Sequence, residues 1–201
     1  MIPHEHPPAN GQTAKVVLKL GDDVSTDAIY PGRFMATVLP SETPQYAFAD
    51  CLDFNARLRR KEIPAGGVIV GGTNFGCGSS REQAASALQG PGLVVVARSF
   101  ARIFLQNAVN LGLKAITCPH LEASEGDELE IGVVWVLNRT TGKRFAVEPL
   151  PQARQAVMNA GGLIAYTRQR LIERRSAFSP GGPENRTDVL PGVDLRQAEG
   201  R

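Results

Sequence analysis

Several residue types are scarce in this 201-residue chain, and each scarcity argues against a class of structure. The three cysteines, Cys51, Cys77 and Cys118, are odd in number and include no Cys-x-x-Cys pair, which argues against a disulfide framework. Together they could in principle hold a 4Fe-4S cluster, but iron–sulfur ligands usually include closely spaced cysteines. We therefore expect this chain to bind no cofactor and no metal by itself.

Long apolar runs and an excess of charge are also missing. No run of about 18 apolar residues occurs, so the sequence predicts no membrane span. The 22 basic and 20 acidic side chains give a formal net charge of +2, which is too small to favour nucleic acid or a membrane surface as a partner. The N-terminal residues lack an apolar signal core, so we expect a flexible extension over residues 1–14 and a cytoplasmic chain.

The remaining composition suits one globular domain, since 42% of the residues are hydrophobic and 21% are charged. Apolar runs predict strands at residues 15–20, 68–70 and 93–97. Residues 43–60 predict one or two short helices. Strands and helices alternate between residues 68 and 110, which predicts a βαβ unit.

The second helix of that unit is predicted to begin after residue 98, with Ser99 as its cap. Arg102 is expected to be partly buried and structural, with a role in a site or at a subunit interface as the alternative. Helical spacing predicts that four apolar residues face the core: Phe100, Ile103, Phe104 and Ala108.

The C-terminal third changes character. Residues 128–137 and 144–147 predict the two strands of a hairpin. Pro151 opens a helix that ends near residues 160–162. A last amphipathic helix is predicted at residues 163–175, with four residues toward the core: Leu163, Ile164, Leu171 and Ile172. We expect one domain over residues 15–175 and a tail over residues 176–201 that is disordered or docked on a partner.

Residues 74–82 (NFGCGSSRE) follow an apolar strand and predict an active-site loop. The pattern predicts that Ser79 or Ser80 caps a helix beginning near Arg81, with the first-turn amides aimed at the loop. Hydroxyl, guanidinium and amide donors together suit a bound carboxylate or a serine alkoxide. The alternative is that the serines only cap the helix, with Glu82 completing a capping box.

Three segments resemble one family in order and spacing: residues 21–32 (GDDVSTDAIYPG), 74–82 and 99–113 (SFARIFLQNAVNLGL). They are similar to the swivelling-domain branch of the aconitase superfamily, which includes the small subunits of 3-isopropylmalate dehydratase and homoaconitase. The likeness extends from about residue 15 to about residue 175. It implies an α/β fold of β/β/α layers, with strands, flanking helices, and a C-terminal hairpin and helices.

The resemblance implies half of a hydro-lyase, which moves a hydroxyl group between neighbouring carbons by dehydration and rehydration. A separate large subunit would carry a 4Fe-4S cluster as Lewis acid. In this chain Ser79 matches the serine base, and Ser80 and Arg81 match the residues that position the substrate carboxylate. Asp27 matches an acidic active-site residue, and Gly78 lies within the substrate-binding loop.

The substrate expected from the resemblance is a hydroxy dicarboxylate, 2-isopropylmalate, of leucine biosynthesis. Homoaconitase-like small subunits carry an arginine where this chain has Ala36, and the neighbouring Phe34 and Met35 are apolar, which favours an alkyl branch over a third carboxylate. Arg33 could swing in and restore a charge. The alternatives are homocitrate-, citramalate- or dimethylmalate-type substrates and, in another class, a noncatalytic anion-binding or assembly module.

Overall fold

The computed structural model describes residues 12–177, so the expectations for residues 1–11 and 178–201 lie outside it, and the division into extension, domain and tail stays a prediction. The strands are β1 (Gln12–Lys19), β2 (Val68–Gly71), β3 (Val94–Ala97), β4 (Lys114–Thr117), β5 (Glu128–Ile131), β6 (Trp135–Asn138) and β7 (Lys143–Ala146). The α-helices are α1 (Thr26–Ile29), α2 (Leu52–Arg59), α3 (Glu82–Gln89), α4 (Arg102–Leu111), α5 (Gln152–Asn159) and α6 (Leu163–Ala177). Short 3-10 helices occupy Gly32–Phe34 and Thr43–Tyr46.

The seven strands form one sheet in the order β4-β3-β2-β1-β5-β6-β7. The first four strands pair in parallel, and every residue of β2 and β3 is buried. That burial explains their unbroken apolar runs, since strands covered on both faces do not alternate in polarity. The predicted strands and the βαβ unit are confirmed, with β1 beginning three residues earlier than expected.

Two hydrophobic clusters lie on opposite faces of the parallel strands, because successive side chains point to opposite faces. Ile69 and Val95 belong to the cluster that includes α3 and α4 side chains such as Leu88 and Phe104. Val68 and its alternate neighbours join Leu129 and other residues of the antiparallel strands. One face of the parallel strands thus packs against helices and the other face packs against the antiparallel part of the same sheet, which gives the expected β/β/α layers and α/β class.

The antiparallel half corrects the predicted hairpin. Residues 128–137 were expected to form one strand, but the chain turns back at Gly132–Val134 and makes two strands, β5 and β6. The Gly132 amide donates to the Trp135 carbonyl at 2.9 Å, which closes this turn. The result is a meander of β5, β6 and β7 instead of a single hairpin.

Helix α6 has the predicted bounds within two residues, but its predicted packing is wrong. Four apolar residues expected in the core are 46–78% exposed: Leu163, Ile164, Leu171 and Ile172. Every residue from 167 to 176 is exposed, so no element within residues 12–177 covers the apolar stripe of this helix. Periodicity predicts an apolar face but does not establish what covers it.

Helix α4 also differs from its prediction. It begins at Arg102 with Ala101 as its N-cap residue and without a side-chain cap, so Ser99 does not cap it. Phe104 and Ala108 are buried as expected, and Phe100 packs partly buried against the same core. Arg102 and Ile103 are exposed, because the buried face follows the four-residue step from 104 to 108 and residue 103 lies about 100° around the helix from residue 104.

Candidate active site

The candidate site lies where β1 and β2 end. These strands are parallel neighbours, so the loops that follow them leave the sheet at the same edge, where open α/β sheets commonly bind ligands. The two loops pair through their backbones: the Gly76 amide donates to the Val24 carbonyl at 2.7 Å, and the Thr26 amide donates to the Cys77 carbonyl at 2.7 Å. The segments that resemble the first loop and the serine loop of the family are therefore one continuous structure.

Asn74 fixes the entry of the serine loop. It has a left-handed backbone, with φ of 57°, and its side-chain amide donates to Asp23 Oδ1 at 2.8 Å. Its backbone amide donates to Ser99 Oγ at 2.9 Å. Ser99 thus braces the serine loop in place of its predicted role as a helix cap.

Gly76 brings the loop onto α4. Its φ is 81°, and a methyl group at this position would overlap the Phe104 ring. Phe75 is fully buried, with its ring centroid 5.4 Å from that of Phe104. The serine loop therefore rests on the buried face of α4 and has little freedom to shift.

Ser79 and Ser80 are exposed at the end of this loop. Their predicted role as caps is wrong, because α3 begins at Glu82 with Arg81 as its N-cap residue and without a side-chain cap. Within residues 12–177 neither serine hydroxyl makes a hydrogen bond. The backbone of Ser79 is nevertheless fixed, since the Thr26 hydroxyl, in a residue that is 2% exposed, donates to the Ser79 carbonyl at 3.0 Å. Both hydroxyls thus remain accessible to a ligand.

Arg81 and Asp27 form an ion pair beside the serines, in which Arg81 Nη1 donates to Asp27 Oδ1. The same nitrogen lies 3.3 Å from the Tyr30 carbonyl, and the Gly32 amide donates to Asp27 Oδ1 at 2.9 Å. The Gly32 hydrogen bond and then the Arg81 guanidinium lower the pKa of the Asp27 carboxyl below its ordinary value. Asp27 is therefore an anion near neutral pH and positions the Arg81 fork.

The predicted substrate segment starts beside this pair, since a Cβ atom on Gly32 would lie 3.3 Å from Arg81 Nη2. Phe34 stacks on Tyr46 with ring centroids 4.2 Å apart. Met35 and Ala36 are exposed, and so are the apolar residues Val38 and Leu39. The structure thus brings Ser79, Ser80, Gly78, Arg81 and Asp27 together in the paired loops, while Met35 and Ala36 lie on an exposed neighbouring segment.

Sequence reasoning missed four residues that shape this site. Thr26 adjoins the predicted Asp27, and Ser99 is the first residue of a segment that resembles the family, so their positions in the sequence pointed to both. Tyr30 is fully buried and its hydroxyl donates to the carbonyls of Phe34 and Thr37. Asp50 pairs with Arg33 across 17 residues and lies outside the segments that resemble the family, so only the tertiary structure reveals it.

The cysteines do not form a metal site in the described part of the chain. Burial raises the pKa of the Cys118 thiol to about 11, and that thiol donates to the Ala146 carbonyl at 3.3 Å. Cys77 Sγ donates to the Asp23 carbonyl at 3.4 Å. Residues 12–177 contain no group of three or more His, Cys, Asp or Glu side chains placed to hold a metal ion, so they do not fit an iron–sulfur cluster.

Over the same range, no helix has both the length and the apolar character needed to cross a membrane.

Comparison with known proteins shows the family to which the chain belongs. The family described as the Aconitase C-terminal domain matches residues 33–121, which include the serine loop and strands β2, β3 and β4. A 3-isopropylmalate dehydratase small subunit from Methanosarcina mazei is 42% identical over 161 residues, covering 78% of this chain and 96% of the relative. The chain belongs to the family of 3-isopropylmalate dehydratase small subunits.

Two further relatives extend the comparison. An isopropylmalate/citramalate isomerase small subunit from Methanocaldococcus jannaschii is 41% identical over 163 residues, covering 78% of this chain and 94% of the relative. The crystal structure of a 3-isopropylmalate dehydratase from the same organism has a TM-score of 0.74 and 37% identity, covering 82% of this chain and 98% of that chain.

Proposed function

We propose that this chain is the small subunit of a hydro-lyase that converts 2-isopropylmalate to 3-isopropylmalate in leucine biosynthesis, by dehydration and rehydration. One observation carries the proposal. An accessible hydroxyl, Ser79, lies next to the Asp27–Arg81 pair at the sheet edge. That arrangement suits a hydroxy acid whose carboxylate is held while a neighbouring carbon loses a proton.

Arg81 serves as the carboxylate clamp. In the described chain only its Nη1 atom is engaged, so its remaining N–H donors can receive a substrate carboxylate in the two-point geometry that guanidinium favours. Asp27 holds the fork through its Nη1 atom, and Ser80 and Gly78 line the approach to the same carboxylate. The clamp orients the adjacent carbon toward Ser79.

Ser79 serves as the base that removes the proton alpha to the carboxylate. A serine hydroxyl is a weak base unless donors and positive charge favour its alkoxide. The Arg81 guanidinium and the amides of the uncapped first turn of α3 supply both. On rehydration the same hydroxyl returns the proton to the neighbouring carbon.

The chain supplies half of the site under this proposal. Departure of the substrate hydroxyl needs an acid, and a 4Fe-4S cluster on a large partner subunit would supply it. The exposed position of Ser79 and Ser80 suits a site that is completed by a second chain.

Phe34, Met35 and Ala36 would contact the alkyl branch of the substrate. The exposed apolar residues Met35, Val38 and Leu39 offer no charge to a third carboxylate. Citramalate is the second candidate substrate, because a relative of 41% identity is named as an isopropylmalate/citramalate isomerase small subunit. Its smaller branch would fill the same segment less completely.

The test is turnover of 2-isopropylmalate, citramalate and homocitrate by the chain reconstituted with its large subunit and cluster. We expect the highest kcat/KM with 2-isopropylmalate, and a Ser79→Ala variant to lose about a hundredfold or more in kcat. Ser41→Ala changes an exposed serine outside the loop and should leave turnover unchanged. Full activity of Ser79→Ala would remove Ser79 as the base.

A noncatalytic anion-binding or assembly role is the alternative of another class. It predicts that Ser79→Ala and the unaltered chain support identical turnover while both assemble with the partner. A cytoplasmic location stays a prediction, which fractionation of cells expressing the tagged chain tests.

A further inference from the structure

Arg33 is a second cation near Arg81, the proposed carboxylate clamp. It follows Gly32, whose amide donates to Asp27 and where an added Cβ atom would lie 3.3 Å from Arg81 Nη2. Asp27 also contributes to raising the pKa of Arg33, after the larger effect of Asp50, so the two charges interact. A mobile guanidinium at residue 33 would therefore add a second positive charge beside a bound carboxylate.

The structure shows Arg33 held away by two contacts. Its Nη2 and Nη1 atoms donate to the two Asp50 carboxylate oxygens at 2.5 Å and 3.1 Å, which is the bidentate geometry. Its guanidinium carbon lies 4.6 Å from the centroid of the Phe34 ring, and that ring stacks on Tyr46. The Arg33 charge is thus neutralised by Asp50 and placed over a fixed aromatic pair.

Asp50 lies directly before α2, with Cys51 as the N-cap residue of that helix. The hydrogen bonds from Arg33 hold the pKa of the Asp50 carboxyl below its ordinary value, so Asp50 is charged near neutral pH. The pair is exposed, with 53% of the Arg33 side chain and 65% of the Asp50 side chain accessible. Such pairs are weak, so this one can be released by a single substitution without loss of the fold.

We propose that Asp50 is a specificity-determining residue, which restricts the site to dicarboxylates by holding the Arg33 charge away from the substrate. We call the Arg33–Asp50 ion pair the latch. While the latch is formed, the segment after Arg33 presents the apolar residues Met35 and Ala36. Without Asp50, Arg33 is free to meet a third carboxylate. This inference rests on the proposed function, because it concerns the substrate of the same site.

Asp50→Ala tests the latch in the reconstituted enzyme, with 2-isopropylmalate and homocitrate as the two substrates. We expect the ratio of kcat/KM for homocitrate to that for 2-isopropylmalate to rise by up to about fivefold, since an exposed ion pair is typically worth up to about 1 kcal/mol. The change should appear in KM for homocitrate, while kcat for 2-isopropylmalate stays the same. Asp50→Glu retains the carboxylate and should shift the ratio less.

Arg33→Gln combined with Asp50→Ala separates the latch from simple loss of a negative charge. If Arg33 causes the gain, the double variant returns to the original substrate ratio. If the gain persists in the double variant, loss of Asp50 repulsion explains it and the latch is wrong. Glu62→Ala removes the acidic partner of another exposed arginine, Arg60, and should leave the ratio unchanged.

The same experiment distinguishes failure of the latch from failure of the proposed function. An unaltered enzyme that does not turn over 2-isopropylmalate overturns the function. An unaltered enzyme that does so, with a substrate ratio that Asp50→Ala does not move, overturns the latch alone.

Discussion

The serine loop and residues 33–40 differ in how they are held, although they meet at Gly32 and Arg81. The serine loop is fixed by backbone pairing with the first loop and by packing of Phe75 and Gly76 on Phe104. Residues 33–40 are mostly exposed. They are held by side-chain contacts: the Tyr30 hydroxyl, the Thr43 hydroxyl on the Pro40 carbonyl, the stacking of Phe34 on Tyr46 and the Arg33–Asp50 pair. We therefore call the serine loop with its partner loop the rigid part, which holds the proposed catalytic residues. Residues 33–40 are the variable part, which would select the substrate and can change without loss of core packing.

Gly76→Ala should disrupt the packing of the serine loop on α4 and have the largest effect on stability. The substitution combines a left-handed backbone with overlap of the Phe104 ring, so the free energy of unfolding should fall by about 3–5 kcal/mol. Denaturant unfolding measures the loss, and reconstituted turnover should fall with it.

Gly126→Ala is the matched control for the backbone alone. Its φ is 93°, but a Cβ atom there meets nothing within 4 Å. We expect a loss of about 1–2 kcal/mol. Equal losses at the two positions would mean that packing on α4 does not fix the serine loop.

Thr26→Val tests how the rigid part positions Ser79. It keeps the shape of a residue that is 2% exposed and removes the hydroxyl that donates to the Ser79 carbonyl. We expect kcat to fall about tenfold, because small misplacement of a reacting group is costly, while KM changes little.

Thr43→Val controls for a lost buried hydroxyl, since Thr43 bonds Ser86 at 2.9 Å outside the paired loops. It should reduce stability by about 1 kcal/mol and leave kcat unchanged, and Thr26→Ser should restore most of the Thr26→Val loss. A kcat for Thr26→Val equal to that of the unaltered enzyme would show that this bond does not position Ser79.

Acid titration tests the charge of Asp27, which pairs with Arg81 in the rigid part. Because its folded pKa is lowered from the ordinary 3.8, the stability that Asp27 contributes is complete above that value and is lost as the pH falls below it through the folded pKa. Asp27→Asn should therefore unfold with a shallower dependence on pH below about 4, which urea unfolding at several pH values measures. An unchanged slope would contradict the charge-paired state of Asp27.

The sequence predicts the rigid part better than the variable one, for physical reasons. Buried strands such as β2 need unbroken apolar runs, which made the strand before the serine loop predictable. The resemblance of residues 21–32 and 74–82 to one family placed Ser79, Arg81 and Asp27 together, and the parallel pairing of β1 and β2 brings both loops to one edge. Asp50 could not be found, because its partner Arg33 is distant in sequence and an exposed ion pair leaves no hydrophobic pattern. The same limit explains Ser99, whose hydroxyl serves a loop instead of the adjacent helix, and α6, whose apolar stripe does not reveal what it meets.

Tyr30→Phe should have the smallest effect and acts on the variable part. It removes the hydroxyl that donates to the Phe34 carbonyl at 3.1 Å and to the Thr37 carbonyl at 3.3 Å, while the buried ring keeps its packing. We expect KM for 2-isopropylmalate to rise about fivefold, in line with about 1 kcal/mol for one hydrogen bond, and kcat to stay unchanged because the serine loop does not depend on this hydroxyl. Tyr166→Phe removes an exposed hydroxyl that binds Arg170 and should change neither constant. A fall in kcat with Tyr30→Phe would mean that the two parts are mechanically coupled, so that substrate selection could not vary independently of the chemistry.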